Sequence, residues 1–328
     1  MMMHKRALLA FTAIATLVSA TTAARADDAY PSRPVRLVIG FAAGGPTDVI
    51  ARVLAKDLTA KLGQSFIVEN RPGANSMIGT EVVARAPADG YTMLVSTLAH
   101  NVNAIIAADR IKYHPVKDFT PVNLLATVPM IAVTGYSAPY RSLSDVVDAA
   151  RKSPESVTYG SAGNGGSAHL AAAYLATASN TKMIHVPFKG NGPALTDVMA
   201  GNVNFMFYPT IGVADLVEQK RIRALAITTK ERHPDFPELP TTDEAGFKGF
   251  DEYSPGVGLL APAGTPPAIV AKVSKAVQES LKEPATAEQL GKLGAVTSGL
   301  GPDEFGKWMR DDYARWERVI QAAGIRGN

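Results

Sequence analysis

The chain contains no cysteine among its 328 residues. Disulfides, thiolate metal sites and a cysteine nucleophile are therefore excluded, as is lipid anchoring through a cysteine near the N-terminus. There is no sustained excess of charge of one sign, and tryptophan occurs only twice. The only long apolar run, Ala7 to Ala20, is too short and wrongly flanked for a membrane span, which needs about 20 residues. No HExxH pair occurs among His100, His114, His185 and His233, so no zinc site is expected. No metal or cofactor is implied.

That apolar run follows Lys5 and Arg6 and ends in Ala24-Arg25-Ala26, a small-x-small cleavage pattern. Residues 1–26 read as an export signal cut after about Ala26, with an uncleaved anchor or a buried first helix as the alternatives. Three of the 33 basic side chains and none of the 30 acidic ones lie in this segment. The mature chain would carry no net charge. Without a basic patch, neither nucleic acid nor a membrane surface is an expected partner. About 300 residues can bury a core large enough to need no covalent staple, and they suggest two domains.

Strand and helix patterns alternate. Val35–Ile39, Phe66–Val68 and Tyr91–Ser96 read as strands, separated by helices at Pro46–Leu62 and Ile78–Arg85. This βαβαβ series implies a parallel sheet covered by helices. A second α/β series starts near Met130. Its strands are 131–133, 157–159, 183–186, 203–207 and 224–227, and its helices are 143–152, 168–177, 193–200 and 213–219. A strand at 257–260 follows, then helices at 268–282, 285–293 and 303–322, expected to pack on the first lobe. Residues 27–126 with 250–328 would form lobe one and 127–249 lobe two. Two crossings between the lobes would make a hinge.

The chemistry-bearing feature is a pair of glycine turns, each running from a strand into a helix. One is Gly44-Gly45-Pro46-Thr47-Asp48 and the other Gly163-Asn164-Gly165-Gly166-Ser167. Free N–H groups at a helix start, reinforced by the helix dipole, can receive an anion without a basic side chain. The bland alternative in each case is a tight turn. Pro46 stands where a phosphate loop needs lysine, which argues against nucleotide binding. Asp48 is expected to cap its turn or orient water, and Ser167 to cap its helix, line a cleft, or both. His169 is more readily a packed or hydrogen-bonded histidine than a catalyst. Lys189-Gly190 precedes another helix, as a third donor site or as a plain connector.

Several segments together resemble the Bug-type solute receptors of tripartite tricarboxylate transporters. They include Tyr30 to Pro34, Phe41 to Asp48, Val68 to Ala74, Asp89 to Thr92, Gly163 to His169 and His185 to Gly190. Arg223 to Ala226, Glu244 to Gly246, Ala261 to Pro266 and Arg315-Trp316 follow in the family's order. The resemblance implies an α/β, two-lobed periplasmic binding protein of type II, each lobe a sheet flanked by helices with a double-crossover hinge. It implies a monomer that closes on a small carboxylate and serves membrane transporter subunits. Phe41, Gly44, Gly45, Thr47 and Asp48 would form one wall of the cleft. Gly163, Asn164, Gly166, Ser167 and His169 would form the other, with Ser96, Thr97, Lys189, Gly190, Asp197 and Tyr208 at its borders. The chain departs from the family pattern in having Gly256 where many members carry tryptophan, and Ala42 where relatives often have proline. Two other functions share parts of this reading. One is an exported hydrolase using Ser161 or Ser167 with His169 or His185, for which no nucleophile-elbow motif is present. The other is a sensor that presents its ligand to a signalling partner.

Overall fold

The computed structural model describes residues 30–41, 43, 44, 46–188, 190–210, 212–250, 255–292 and 294–325. Residues 1–26, read above as an export signal, and Ala42, Gly45 and Lys189 lie outside the described residues.

Two mixed sheets organise the chain. The first holds β1 (Val35–Ile39), β2 (Phe66–Asn70), β3 (Thr92–Ser96), β4 (Phe119–Thr127), β10 (Gly256–Pro262) and β11 (Val296–Leu300), in the order β11-β4-β10-β3-β1-β2. The second holds β5 (Met130–Gly135), β6 (Thr158–Ser161), β7 (Ile184–Pro187), β8 (Phe205–Pro209) and β9 (Ile222–Ile227), in the order β7-β6-β8-β5-β9. β1 is parallel to β2 and β3, and β6 is parallel to β7 and β8, as the alternating pattern implies. β10 runs antiparallel to β3 and β4, and β5 antiparallel to β8 and β9, so each sheet is mixed.

β1 shows how the sequence dictates its layer. Val35, Leu37 and Ile39 enter the core on one face and Val38 enters the core on the other. A nearly continuous apolar run is what a strand covered on both faces requires. Helices α1 (Pro46–Leu62), α8 (Pro267–Leu281) and α9 (Pro284–Gly291) cover the first face with Ile50, Leu54, Leu58, Val273, Val277 and Leu290. α2 (Met77–Ala84) supplies Val83 to the other face. Around the second sheet lie α4 (Leu143–Lys152), α5 (Ser167–Ala178) and α6 (Asn191–Ala200), with α3 (Ala99–Ile106) between the two sheets and α7 (Val213–Glu218) beside β9.

The last helix departs from the expected packing. α10 (Pro302–Ala322) begins against the first sheet through Phe305 and Met309, but it ends with Trp316, Val319 and Ile320 in the core of the second. A helix of 21 residues spans roughly 30 Å, long enough to reach across both layers. The chain also crosses between the sheets at Val128-Pro129 and returns near Pro255, and these crossings are bonded: Val128 N–H donates to the Pro255 carbonyl at 2.9 Å.

Candidate functional site

Parallel strands end on one side of each sheet, and ligand crevices in open α/β sheets form beyond those carboxyl ends. Here the two sets of ends border one cleft of about 730 Å³. Phe41 follows β1, Thr97 follows β3, Ala162 follows β6 and Pro209 ends β8, and all four line it. Of the expected site residues, the cleft brings together Phe41, Gly44, Thr47, Asp48, Thr97, Gly163, Asn164, Gly166 and Ser167. Gly165 of the second glycine turn lines it too, and Asn75, Leu98, Val128, Asn191, Pro255 and Val257, none of them among the expected site residues, complete much of the lining.

The first wall is braced by Asp48. Its carboxylate is only 2% exposed and accepts hydrogen bonds from Gly44 N–H at 2.9 Å, Asn70 Nδ2 at 2.9 Å, and Arg52 Nε and Nη2 at 2.8 and 3.0 Å. The Arg52 bond, with help from Gly44 and Asn70, outweighs burial and lowers its pKa to about 2. Asp48 therefore stays ionised and caps the turn. Asn70 Nδ2 also donates to the Phe41 carbonyl, tying the end of β2 to the same turn.

In the second wall, Gly163 and Gly165 adopt φ of 126° and 71°, a region costly for any residue with a Cβ. A Cβ on Gly165 would also lie 2.6 Å from the Ile106 Cδ1 of α3, whose side chain would have to shift. The N-cap of α5 is Gly166, with no side-chain cap bond. The expected cap, Ser167, is instead the first helical residue, because Gly166 already has the extended backbone of a cap.

Two histidines support this turn from behind. His169 Nδ1 accepts the Gly165 N–H at 3.1 Å, and His185 Nε2 lies 2.6 Å from Ser161 Oγ. Their rings stack at 3.8 Å, with Tyr159 against His185 at 5.1 Å. Ser161 Oγ is also 3.0 Å from the Gly163 carbonyl and accepts the Gly163 N–H at 3.1 Å. Burial lowers the pKa of His169 to about 3, with a smaller contribution from His185, and lowers that of His185 to about 4. Both rings are neutral at pH 7.

A pH prediction follows from that neutrality. The unfolded histidines take up protons near pH 6.5, where the folded ones do not, so stability falls as pH drops from about 6.5 to about 4. Fully buried His100, whose pKa burial also lowers to about 4, adds to the loss. Asp48 contributes only below its unfolded range, nearer pH 2 to 4. Urea unfolding at pH 7 and pH 4.5 should differ by a few kcal/mol, each pKa unit being worth about 1.4 kcal/mol. His169→Gln should reduce the difference.

The other expected residues lie off the cleft lining. Ser96 Oγ donates to the Gly258 carbonyl at 3.2 Å, beneath the floor. His169 is buried behind the turn. Gly190 is the N-cap of α6, whose next residue, Asn191, lines the cleft in its place. Asp197 accepts from Asn202 Nδ2 at 2.7 Å, and Tyr208 packs against the core of the second sheet. Gly45 and Lys189 are outside the described residues. Gly256 forms part of the floor, and the indole of Trp308 occupies the place its side chain would take: a Cβ there would lie 2.4 Å from Trp308. An aromatic ring thus backs the floor at this point, but it comes from α10.

Two α/β layers joined by paired crossings, with a cleft between facing strand ends, define a two-lobed solute-binding protein. The family model described as "Tripartite tricarboxylate transporter family receptor" matches residues 50–325. The chain belongs to this family. Protein BugT of Bordetella pertussis is 32% identical, with 99% of each chain covered. A protein from Pseudomonas sp. (strain P51), described as UPF0065 protein in tcbD-tcbE intergenic region, is 36% identical, covering 99% of this chain and 96% of that one. Among solved structures, an R. palustris protein with adipate is 34% identical with a TM-score of 0.79, covering 90% of this chain and 99% of that one. MatC from Rhodopseudomonas palustris with bound malate is 32% identical with a TM-score of 0.76, covering 89% of this chain and 100% of that one. These likenesses bear out the α/β two-lobed fold. Among the described residues no helix is long and apolar enough to cross a membrane.

Proposed function

We propose that the chain is a periplasmic receptor, exported by its N-terminal segment, that captures a small carboxylate between its two walls and delivers it to a tripartite tricarboxylate-type membrane transporter. One observation carries this reading. The start of α5, with its glycine turn, opens into the same cleft as the turn before α1, at the carboxyl ends of both sets of strands. Amide groups at a helix start receive a carboxylate without a basic partner. The adipate and malate held by two similar proteins support the same class of guest. The receptor acts as a monomer without a cofactor and closes about the paired crossings, the bound guest favouring the closed state.

The reading assigns no catalysis. Ser161 and His185 do form a hydrogen-bonded pair, but the hydroxyl is buried and held by both the N–H and the carbonyl of Gly163. The His185 ring is set by stacking, and among the described residues no carboxylate hydrogen-bonds to it. We read the pair as a brace for the glycine turn. Turnover of simple esters that is abolished by Ser161→Ala would reverse this.

A thermal-shift screen of the mature protein tests the proposal, with di- and tricarboxylates, aliphatic and aromatic acids, and amino acids as arms. A ligand at a hundred times its Kd adds about 2.7 kcal/mol to stability. A carboxylate is expected to raise the melting temperature by several degrees. A panel in which no carboxylate acts overturns the proposal.

A further inference from the structure

Three consecutive residues that are not glycine, Ala74, Asn75 and Ser76, adopt left-handed backbone angles, with φ of 47°, 50° and 76°. Side chains disfavour this region, and a run of three requires support from its surroundings. The support is visible. Ser76 is buried against Gly40 at the end of β1, so closely that a Cβ on Gly40 would lie 2.0 Å from Ser76 Oγ. Asn103 of α3, only 1% exposed, clamps Asn75 twice. Its Nδ2 donates to the Asn75 carbonyl at 2.6 Å, and its Oδ1 accepts from Asn75 Nδ2 at 3.0 Å. Asn75 itself is exposed and lines the cleft. A strained backbone, held by a buried amide, thus presents one polar side chain to the cleft with one N–H and its carbonyl oxygen beyond the clamp.

The surroundings of Asn75 narrow what it can meet. On the same wall the Gly44 N–H is already taken by Asp48, whose fixed negative charge also lines the cleft. Phe41, Leu98, Val128 and Val257 supply apolar surface. Asp48 is already paired with Arg52, and no lysine or arginine is among the described residues that line the cleft, so a second carboxylate would find no cation there. A neutral group that both donates and accepts would suit the Asn75 amide.

We propose that Asn75 is a specificity-determining residue, reading a neutral hydrogen-bonding group, such as a hydroxyl, at the end of the guest remote from its carboxylate. This rests on the carboxylate-receptor reading and adds the class of guest. The guest is a hydroxy- or amide-bearing monocarboxylate with an apolar body.

The test uses two matched series that differ only at the far end: hexanoate, 6-hydroxyhexanoate and adipate, and benzoate, 4-hydroxybenzoate and terephthalate. Affinities are measured by calorimetry on the mature wild-type chain and on Asn75→Gly. In at least one series the hydroxy acid should be the tightest wild-type ligand, by roughly five-fold over the unsubstituted acid, as one neutral hydrogen bond implies. Asn75→Gly should bring that ratio to about one while the melting temperature changes little, because relief of the left-handed strain offsets the Nδ2 bond that buried Asn103 loses. A residue needed only for folding would lower the melting temperature and leave the ratio alone. The inference is overturned if the hydroxy acid is the tightest wild-type ligand in neither series, or if the hydroxyl preference survives in the variant; either outcome leaves the carboxylate receptor standing. If none of the six acids binds either protein and the broader screen is also silent, both readings fall together.

Discussion

Gly166→Asp is expected to abolish carboxylate capture while leaving the fold at least as stable as the wild type. Gly166 is the N-cap of α5, with φ −74° and ψ 160°, angles open to any residue. A Cβ there comes no nearer than 3.4 Å to its neighbours, the closest being the Gly163 carbonyl. Aspartate is among the best N-cap residues, and its carboxylate accepts the N–H groups of the first turn. The variant would thus carry its own anion where the guest's carboxylate is proposed to bind. Capping adds a few tenths of a kcal/mol over glycine. Like charges brought together cost several kcal/mol, so affinity should fall by at least about a hundredfold. Gly166→Asn separates the two effects, because it caps without the charge and should lose less. Calorimetry with a ligand from the screen, alongside melting temperatures, checks the outcome. Wild-type affinity in Gly166→Asp would mean that the carboxylate does not use the start of α5.

The second large effect is expected at the junction between the sheets. Trp316 is 1% exposed, and its indole Nε1 donates to Asp312 Oδ1 at 2.9 Å. Asp312 is buried as well and accepts from Asn101 Nδ2 of α3 at 2.8 Å. Burial raises its pKa, the hydrogen bonds from Asn101 and Trp316 and the nearby Arg315 working in the opposite direction. Trp316→Ala removes a large core side chain, typically worth about 3–5 kcal/mol, and deprives a buried carboxylate of a donor. The melting temperature should fall by on the order of 10 °C. Trp316→Phe keeps most of the ring but not the N–H, so it should recover part of the loss. Because α10 reaches into both cores, unfolding of Trp316→Ala should also become less cooperative, with separate transitions detectable by calorimetry. A drop of only 2–3 °C with one sharp transition would show that α10 does not couple the layers.

The elements that were legible share a physical trait: their periodicity is carried by apolar residues facing a layer. The helix at Pro46–Leu62 and the strand at Val35–Ile39 are found at the residues expected. β4 was not legible, because Pro121 argues against an interior strand. The structure accommodates it at a bulge, where the pairing between β4 and β10 shifts register between Leu259 and Leu260. α3 was missed because His100, Asn101 and Asn103 are buried polar residues, which an apolar pattern cannot register. Within the cleft the glycine turns were visible as a motif. Asn75 was not, since its position depends on Asn103, 28 residues away.

The order of strands and helices, the two turns and the absence of thiol chemistry were present in the chain itself, because each depends on residues near one another in sequence. Folding settled which amides remain available to a guest. Asp48 takes the Gly44 N–H, His169 takes the Gly165 N–H, and α10 places Trp308 behind Gly256. The Asp48 and His169 bonds each span only four residues, yet a neighbour that fixes each, Asn70 of β2 for one and the stacked His185 of β7 for the other, arrives only when separate elements pack. Local spacing can specify a helix start, but its hydrogen-bonding capacity is decided by whatever the tertiary packing brings against it.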